Sequence, residues 1–499
     1  MIVVQIIILV IYSLSLLFIF LFTLSQAHLV WVYVQSKNIR TIPEKSLVLT
    51  VFPEVTVQLP VYNEMYVIER LIDAVCQLNY PKNKLQIQVL DDSTDDSVLI
   101  TAKKIKQWQL NGINILHVQR VDRSGFKAGA LKAGLESATG EFIAIFDADF
   151  IPDKDFLTLT LPYFITERVG LVQTRWGHIN RDFSILTELQ AFALDTHFSI
   201  EQVGRNLIGS FINFNGTGGI WRKATIVDSG NWQSDTLTED LDLSYRAQLK
   251  GWKFRYLEDV VSPAELPPLM SALKSQQFRW TKGGAETARK HIRTLLKSDH
   301  PIHIKIHGAM HLLNSTIFVA VLLCALLSVP LLAIKNDYPQ LKFLFYIASF
   351  FLFSFLIIGV QYYISSSSNQ EKPLFKKVTS FLFRFPLFLS FSMGLSLHNT
   401  IAVMEGFANK KTAFIRTPKF NMLKNSAIKN ENKYIVSGIP PHTFIEGILA
   451  LYFSFGIYQD VQYFDYTLLL FHLFLFTGFT AVFYFSVRHS FIGFRKKSI

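Results

Sequence analysis

Cysteine is nearly absent from the 499 residues: Cys76 and Cys324 are the two. Thiols this far apart, the second inside an apolar run, make neither a disulfide framework nor a cysteine-ligated metal site, which suits a reducing, cytoplasmic catalytic region. Charged residues are also scarce, 17% against 50% hydrophobic. There is no Walker A loop and no GxGxxG fingerprint, which argues against kinase, ATPase and dehydrogenase chemistry. The first apolar run, 2–25, has no basic start and no small-x-small cleavage site, so it reads as a retained anchor rather than a cleaved signal peptide.

What the chain does have is apolar length. Residues 2–25, 309–334, 343–364 and 466–487 are each long enough to cross a bilayer, and 443–461 is a fifth such stretch despite Glu446 and Asp460. The net charge of +11 is concentrated beside these runs, at Lys410, Lys411, Arg416, Lys419, Lys424, Lys429 and Lys433 and at Arg495, Lys496 and Lys497. Basic flanks mark the cytoplasmic side and attract anionic lipid, so the charge is explained by topology and argues against nucleic acid as a partner. The connections near 335–342 and 462–465 are poor in Lys and Arg and are expected outside. Five spans then place 36–308, 365–380, 407–436 and the C-terminus in the cytoplasm. A crossing at 381–404 would turn the basic segment outward, and Arg384, Pro386, His398, Asn399 and Glu405 interrupt it; it is expected to lie in the interface or to enter and return.

Residues 36–308 have ordinary globular composition. Val55–Leu59 reads as a buried strand ended by Pro60, followed by a loop at Val61-Tyr62-Asn63-Glu64 and a helix over 65–78. A strand at Leu85–Leu90, a helix at 95–109, a strand at 113–118, a helix at 128–138 and a strand at Phe142–Phe146 follow. This alternation predicts an α/β domain with a mostly parallel sheet, whose ligands bind at the carboxyl ends of the strands. The carboxylates stand there. Asp147 and Asp149 follow a strand and can hold a hard divalent ion together with a diphosphate. Asp91 and Asp92 end an earlier strand, with Asp91 the candidate nucleoside contact. Lys127, at a glycine-containing helix start, suits a phosphate. Phe211–Gly219 is a glycine-rich loop with aromatic flanks, Asn215 among it, of the kind that contacts sugars. Asp240, in Thr238-Glu239-Asp240, is the candidate general base. Arg279 can pair with a diphosphate, and Trp280 offers a flat face to a sugar ring.

Leu90-Asp91-Asp92, Asp147-Ala148-Asp149, Thr238-Glu239-Asp240 and Gln276-Gln277-Phe278-Arg279-Trp280, in this order, resemble the processive family 2 glycosyltransferases, the cellulose, chitin and hyaluronan synthases. Closer wording, at 88–95, 126–129 and 214–217, resembles the plant cellulose-synthase-like A and C groups, and Lys127-Ala128-Gly129-Ala130-Leu131-Lys132 leans to the mannan-forming side. The resemblance implies a GT-A-type mixed or parallel sheet joined to an α-helical transmembrane region. It implies inverting transfer, with Mg²⁺ or Mn²⁺ on Asp147 and Asp149 and with Asp240, beside Glu239, as base. Gln276 and Arg279 would meet the donor, and Trp280 the acceptor sugar at a channel mouth. Phe414-Ile415-Arg416-Thr417-Pro418-Lys419 resembles the family's gating loop, with Phe414, Thr417 and Lys419 as its contacts; Pro418 departs from the cellulose-synthase form. A cyclic-nucleotide-binding domain is not expected.

The expected organisation is an anchor at 1–35, a catalytic domain at 36–308, a transmembrane hairpin at 309–364, an interfacial helix and basic gating-like loop at 365–442, and a second hairpin with the C-terminus at 443–499. The expected activity is elongation of a β-1,4-linked mannan, glucomannan or glucan from GDP-mannose or UDP-glucose, with passage across a bacterial inner membrane or a plant or algal Golgi membrane. A polysaccharide acceptor, the lipid bilayer and accessory export proteins are the further partners. Two other readings compete: transfer of a single sugar to a lipid such as ceramide or polyprenyl phosphate, and a non-catalytic export subunit. The second is disfavoured by the intact carboxylate set.

Overall fold

The structure is a computed structural model and describes residues 2–39, 49–338, 353–367, 373–421 and 439–494. Part of the 343–364 run, the lysines at 424, 429 and 433 and the basic cluster at 495–497 therefore lie outside the described residues.

Seven strands form one sheet in the order β3-β2-β1-β4-β6-β5-β7. They are β1 (Val55–Val61), β2 (Leu85–Asp91), β3 (Ile115–Gln119), β4 (Phe142–Ile145), β5 (Val169–His178), β6 (Gly219–Arg222) and β7 (Lys253–Ala264). The β1, β2, β3 and β4 neighbours are parallel, as the alternating pattern predicts. The sheet as a whole is mixed, because β6 runs antiparallel to both β4 and β5. The apolar runs of β1 and β2 are buried on both faces, the signature of strands covered on each side. One apolar cluster carries Val57, Ile87 and Phe146; the other carries Ile143, Leu171 and Trp221.

Pro60 does not end β1; the strand continues to Val61, opposite Asp91. The ladder to β4 stops at Gln58, so Pro60 stands where one flank of β1 is already free, the position at which a missing N–H is tolerated. The first helix begins at Ile68 rather than 65, because Glu64 turns the chain: its carbonyl accepts from the N–H groups of Val67 and Ile68.

Among the described residues three helices are long and apolar enough to cross a membrane: Val3–Lys37, Asn314–Asp337 and Leu469–Phe491. The run expected from 309 begins later because Ile302–Leu312 is a separate helix. Leu374–Gly394 and Ser396–Phe407, bent by 48°, together form a broken span or a re-entrant pair. Leu374–Gly394 crosses Leu469–Phe494 in backbone contact: a Cβ on Gly478 would stand 1.8 Å from the Ser390 carbonyl. Small residues at such crossings bring helices together where lipid supplies no hydrophobic drive. The 28-residue helix Met270–Lys297 joins the two regions. It carries Lys274, ion-paired with Glu446 at 2.7 Å, and Lys282, paired with Glu405 at 3.1 Å.

Candidate active site

A cleft opens at the carboxyl ends of β1, β2 and β4, lined by Asp92, Lys127, Asp147, Asp149, Asn215, Glu239, Asp240, Gln276, Arg279, Trp280 and, from the strap 414–419, Phe414, Arg416, Thr417 and Lys419. Of the residues singled out from the sequence, all but Asp91 are on this lining. Asp91 is 2% exposed and lies behind the lining. Its carboxylate accepts from the Ser93 N–H at 2.9 Å and stands 2.8 Å from His117 Nε2. Burial works against its charge, but these hydrogen bonds hold Asp91 below the usual carboxylate range. Its neighbour Asp92 faces the cleft and is gripped through both oxygens by Arg120.

Asp147 stands just past β4, after Phe146. Its N–H donates to Thr217 Oγ1 at 2.9 Å, which stitches the glycine-rich loop to the strand end. Lys127 donates to Asp147 Oδ1 at 2.6 Å and to the Gly216 carbonyl at 2.8 Å, and stands 3.8 Å from Glu239. Burial would lower the Lys127 pKa, yet Asp147 and Glu239 together raise it, so the ammonium is a fixed positive charge. Asn215 is held by Gln202, which donates to its Oδ1 at 2.7 Å from just beyond a π-turn at His197–Glu201.

Asp240 sits in the first turn of the helix Glu239–Leu249 and accepts from the Leu241 N–H at 2.8 Å. Burial and the adjacent Glu239 push its carboxyl up to about 7, against the pull of Lys127 and Arg279. Gly216 has φ +80°, and a Cβ there would stand 2.9 Å from Asp240 Oδ2. The loop and the acid thus meet in a space that admits no side chain. The helix Met270–Lys297 presses on the same element: Glu286 accepts from the Leu237 N–H at 2.7 Å, and Thr287 bonds Thr238 at 3.1 Å.

The strap lines the cleft through Phe414, Arg416, Thr417 and Lys419. Lys419 donates to Asp149 Oδ2 at 2.7 Å, Arg416 pairs with Glu64 at 3.0 Å, and the Phe420 N–H donates to Glu265 at 2.7 Å. Asn421 accepts from Arg70 at 2.8 Å. Arg279 lies over the Phe414 ring at 4.8 Å, and that ring stacks on Phe126 at 5.8 Å. Thr417 is 4% exposed beneath it. Burial raises the Glu64 carboxyl to about 8, with Arg416 and Lys419 opposing. Sequence reasoning did not reach Arg70, Glu64 or Glu265 as site residues; Tyr62-Asn63-Glu64 at the end of a strand was the one available signal.

Asp147 and Asp149 present hard oxygen donors, each now neutralised by a lysine. Among the described residues no three of His, Cys, Asp and Glu converge into a complete metal centre. Two carboxylates alone are too few for a hard divalent ion, so an ion held there would need further oxygen ligands, such as those of a diphosphate.

Residues 53–283 match the family described as glycosyltransferase-like family 2, and the mixed sheet with its strand-end carboxylates is of the GT-A-like kind. The nearer likeness is to plant proteins. The chain is 43% identical over 273 residues to a protein of Oryza sativa subsp. japonica named probable glucomannan 4-beta-mannosyltransferase 4, covering 54% of this chain and 49% of that one. It is 43% identical over 254 residues to glucomannan 4-beta-mannosyltransferase 7 of Arabidopsis thaliana, covering 50% and 46%. The chain spans about half the length of the curated relatives it matches. Among solved structures, the mannosyltransferase PcManGT from Pyrobaculum calidifontis, in complex with GDP-Man and Mn²⁺, aligns with a TM-score of 0.53 at 20% identity, covering 80% of this chain and 100% of that one. At that identity the likeness speaks for the fold alone.

Proposed function

We propose that the protein is a membrane-embedded, processive, inverting hexosyltransferase that elongates a β-1,4-linked polymer from a nucleotide-sugar, with GDP-mannose the donor and mannan or glucomannan the product. The observation that carries this is the single cleft in which Asp147 and Asp149, Asp240, and Arg279 with Trp280 converge. Wording shared with the mannosyltransferases favours mannose over glucose.

In this reading Asp240, whose carboxyl is poised near neutrality, takes the proton from the acceptor hydroxyl as that oxygen attacks the anomeric carbon. Lys127 and Arg279 hold positive charge where the diphosphate leaves. A divalent ion, Mg²⁺ or Mn²⁺, bound by Asp147 and Asp149 would neutralise the same leaving group. Trp280 stacks on the acceptor, and Asn215 and Gln276 meet the sugars. Asp91 supports the nucleoside end, and Glu239 orients Lys127. Phe414, Thr417 and Lys419 are the strap's contacts as it closes on the donor. In the same reading the domain lies on the cytoplasmic side and the spans carry the product outward, with export proteins as further partners. The proposed organisation keeps the boundaries 1–35, 36–308, 309–364, 365–442 and 443–499.

The test is incubation of the purified protein with Mn²⁺ and radiolabelled GDP-mannose or UDP-glucose, following label into ethanol-insoluble polymer and into organic-extractable lipid. Polymer from GDP-mannose, lost in Asp240→Asn, is the expected result. Label in the lipid phase alone would overturn the reading.

A further inference from the structure

β5 outruns the sheet. Its pairing with β6 ends at Gln173, and beyond that point β7 alone accompanies it, as far as His178 opposite Ala264. On this free extension Trp176 and His178, two residues apart and so on one face, both reach the cleft lining beside Leu194, Leu266, Gln276 and Trp280. None of the motifs read from the sequence includes this pair.

The Trp176 ring is fixed among aromatics. Its centroid lies 5.3 Å from Phe150, the residue after Asp149, 5.1 Å from Phe198 and 6.3 Å from Trp280, with the two indoles inclined at 53°. Its Nε1–H is buried and has no hydrogen-bond partner among the described residues. Buried donors are almost always paired, so such a group calls for a reason. His178 is fixed as well: Asp195 Oδ1 stands 3.2 Å from its Nε2, and Arg181 holds the other carboxylate oxygen at 2.8 Å. Burial opposes the charge of Asp195, but His178 and Arg181 keep its carboxyl below the usual range. Two inclined indoles with polar atoms at their rims match a pyranose chain, whose rings present C–H faces and hydroxyl edges.

We infer that Trp176 and His178 form a second acceptor subsite, which takes the sugar ring next to the one stacked on Trp280 and pairs its hydroxyls with the indole N–H and the imidazole. This rests on the proposed function. With Trp280 alone one ring would be held; with Trp176 beside it a chain of at least two is gripped between additions, which is what repeated transfer to one chain requires.

The test is calorimetric binding of a β-1,4-mannan hexasaccharide, and separately of GDP, to the full chain in detergent. In Trp176→Ala the hexasaccharide affinity is expected to fall about tenfold. In Trp176→Phe, which keeps a ring and loses the N–H, the fall is about threefold. GDP affinity moves less than twofold in both, and the products of Trp176→Ala are shorter. Unchanged hexasaccharide binding in Trp176→Ala, or loss of GDP binding in parallel with it, would overturn the subsite while leaving the function standing. A wild-type protein that binds no hexasaccharide and transfers sugar to lipid would overturn the function and the subsite with it.

Discussion

Lys419 donates to Asp149 at 2.7 Å across 270 residues of sequence, so the strap's terminal cation occupies a carboxylate that the proposed chemistry assigns to a metal ion. Lys127 does the same for Asp147. The two carboxylates are thus electrostatically satisfied, and a divalent ion must compete with an ammonium for Asp149. Lys419→Ala should tighten Mn²⁺ binding in the absence of nucleotide by about two- to fivefold, the range of a partly exposed ion pair. Manganese titration followed by electron paramagnetic resonance measures it; unchanged affinity would show that Asp149 is not a ligand.

Asp240 sets the pH profile. A base must be deprotonated to act, and burial beside Glu239 places its ionisation at about 7 in the free protein. The value of kcat/KM should therefore rise with pH through about 7 and level off above it. Asp240→Asn should lower kcat by about 10²–10⁴-fold and abolish that limb. A limb that persists in the variant would assign the titration to another group.

Gly216→Ala probes the contact between loop and acid. The backbone lies at φ +80° and the new methyl would meet Asp240 Oδ2 at 2.9 Å. Turnover should fall by more than an order of magnitude, while stability drops by about 1–2 kcal/mol, the cost of a left-handed non-glycine residue. Activity and thermal unfolding measured together separate the two effects.

The Lys274–Glu446 pair tests the joint between cleft and membrane helices. Lys274 is 5% exposed and Glu446 0%, so removing either partner strands a buried charge. Lys274→Ala or Glu446→Ala should cost about 3–5 kcal/mol, and the double variant Lys274→Met with Glu446→Leu should recover most of it. Unfolding in detergent gives both numbers; additive losses would deny the pair.

Much of the domain is legible one segment at a time. The runs at 55–61 and 85–91 are buried on both faces, and a parallel strand in that setting needs little beyond its own side chains. Asp147, Asp149 and Asp240 announce themselves because a strand end or a helix start places them at one edge of the sheet wherever the rest of the chain goes. β6 was hidden for the opposite reason: four residues after a glycine-rich turn carry too little periodicity, and their direction is set by β4 and β5 on either side.

The sequence alone therefore determined the strand–helix alternation, the apolar runs and the placing of Asp147 and Asp149 just past a strand end, since each depends on residues near one another in the chain. Tertiary structure decided the rest. That Lys419 meets Asp149, that Arg416 meets Glu64, and that Trp176 comes within 6.3 Å of Trp280 depend on where distant segments are brought together. Charge and aromatic character state what a side chain can pair with; the packing of distant segments, the helix Met270–Lys297 against Ser396–Phe407 among them, selects which partner arrives.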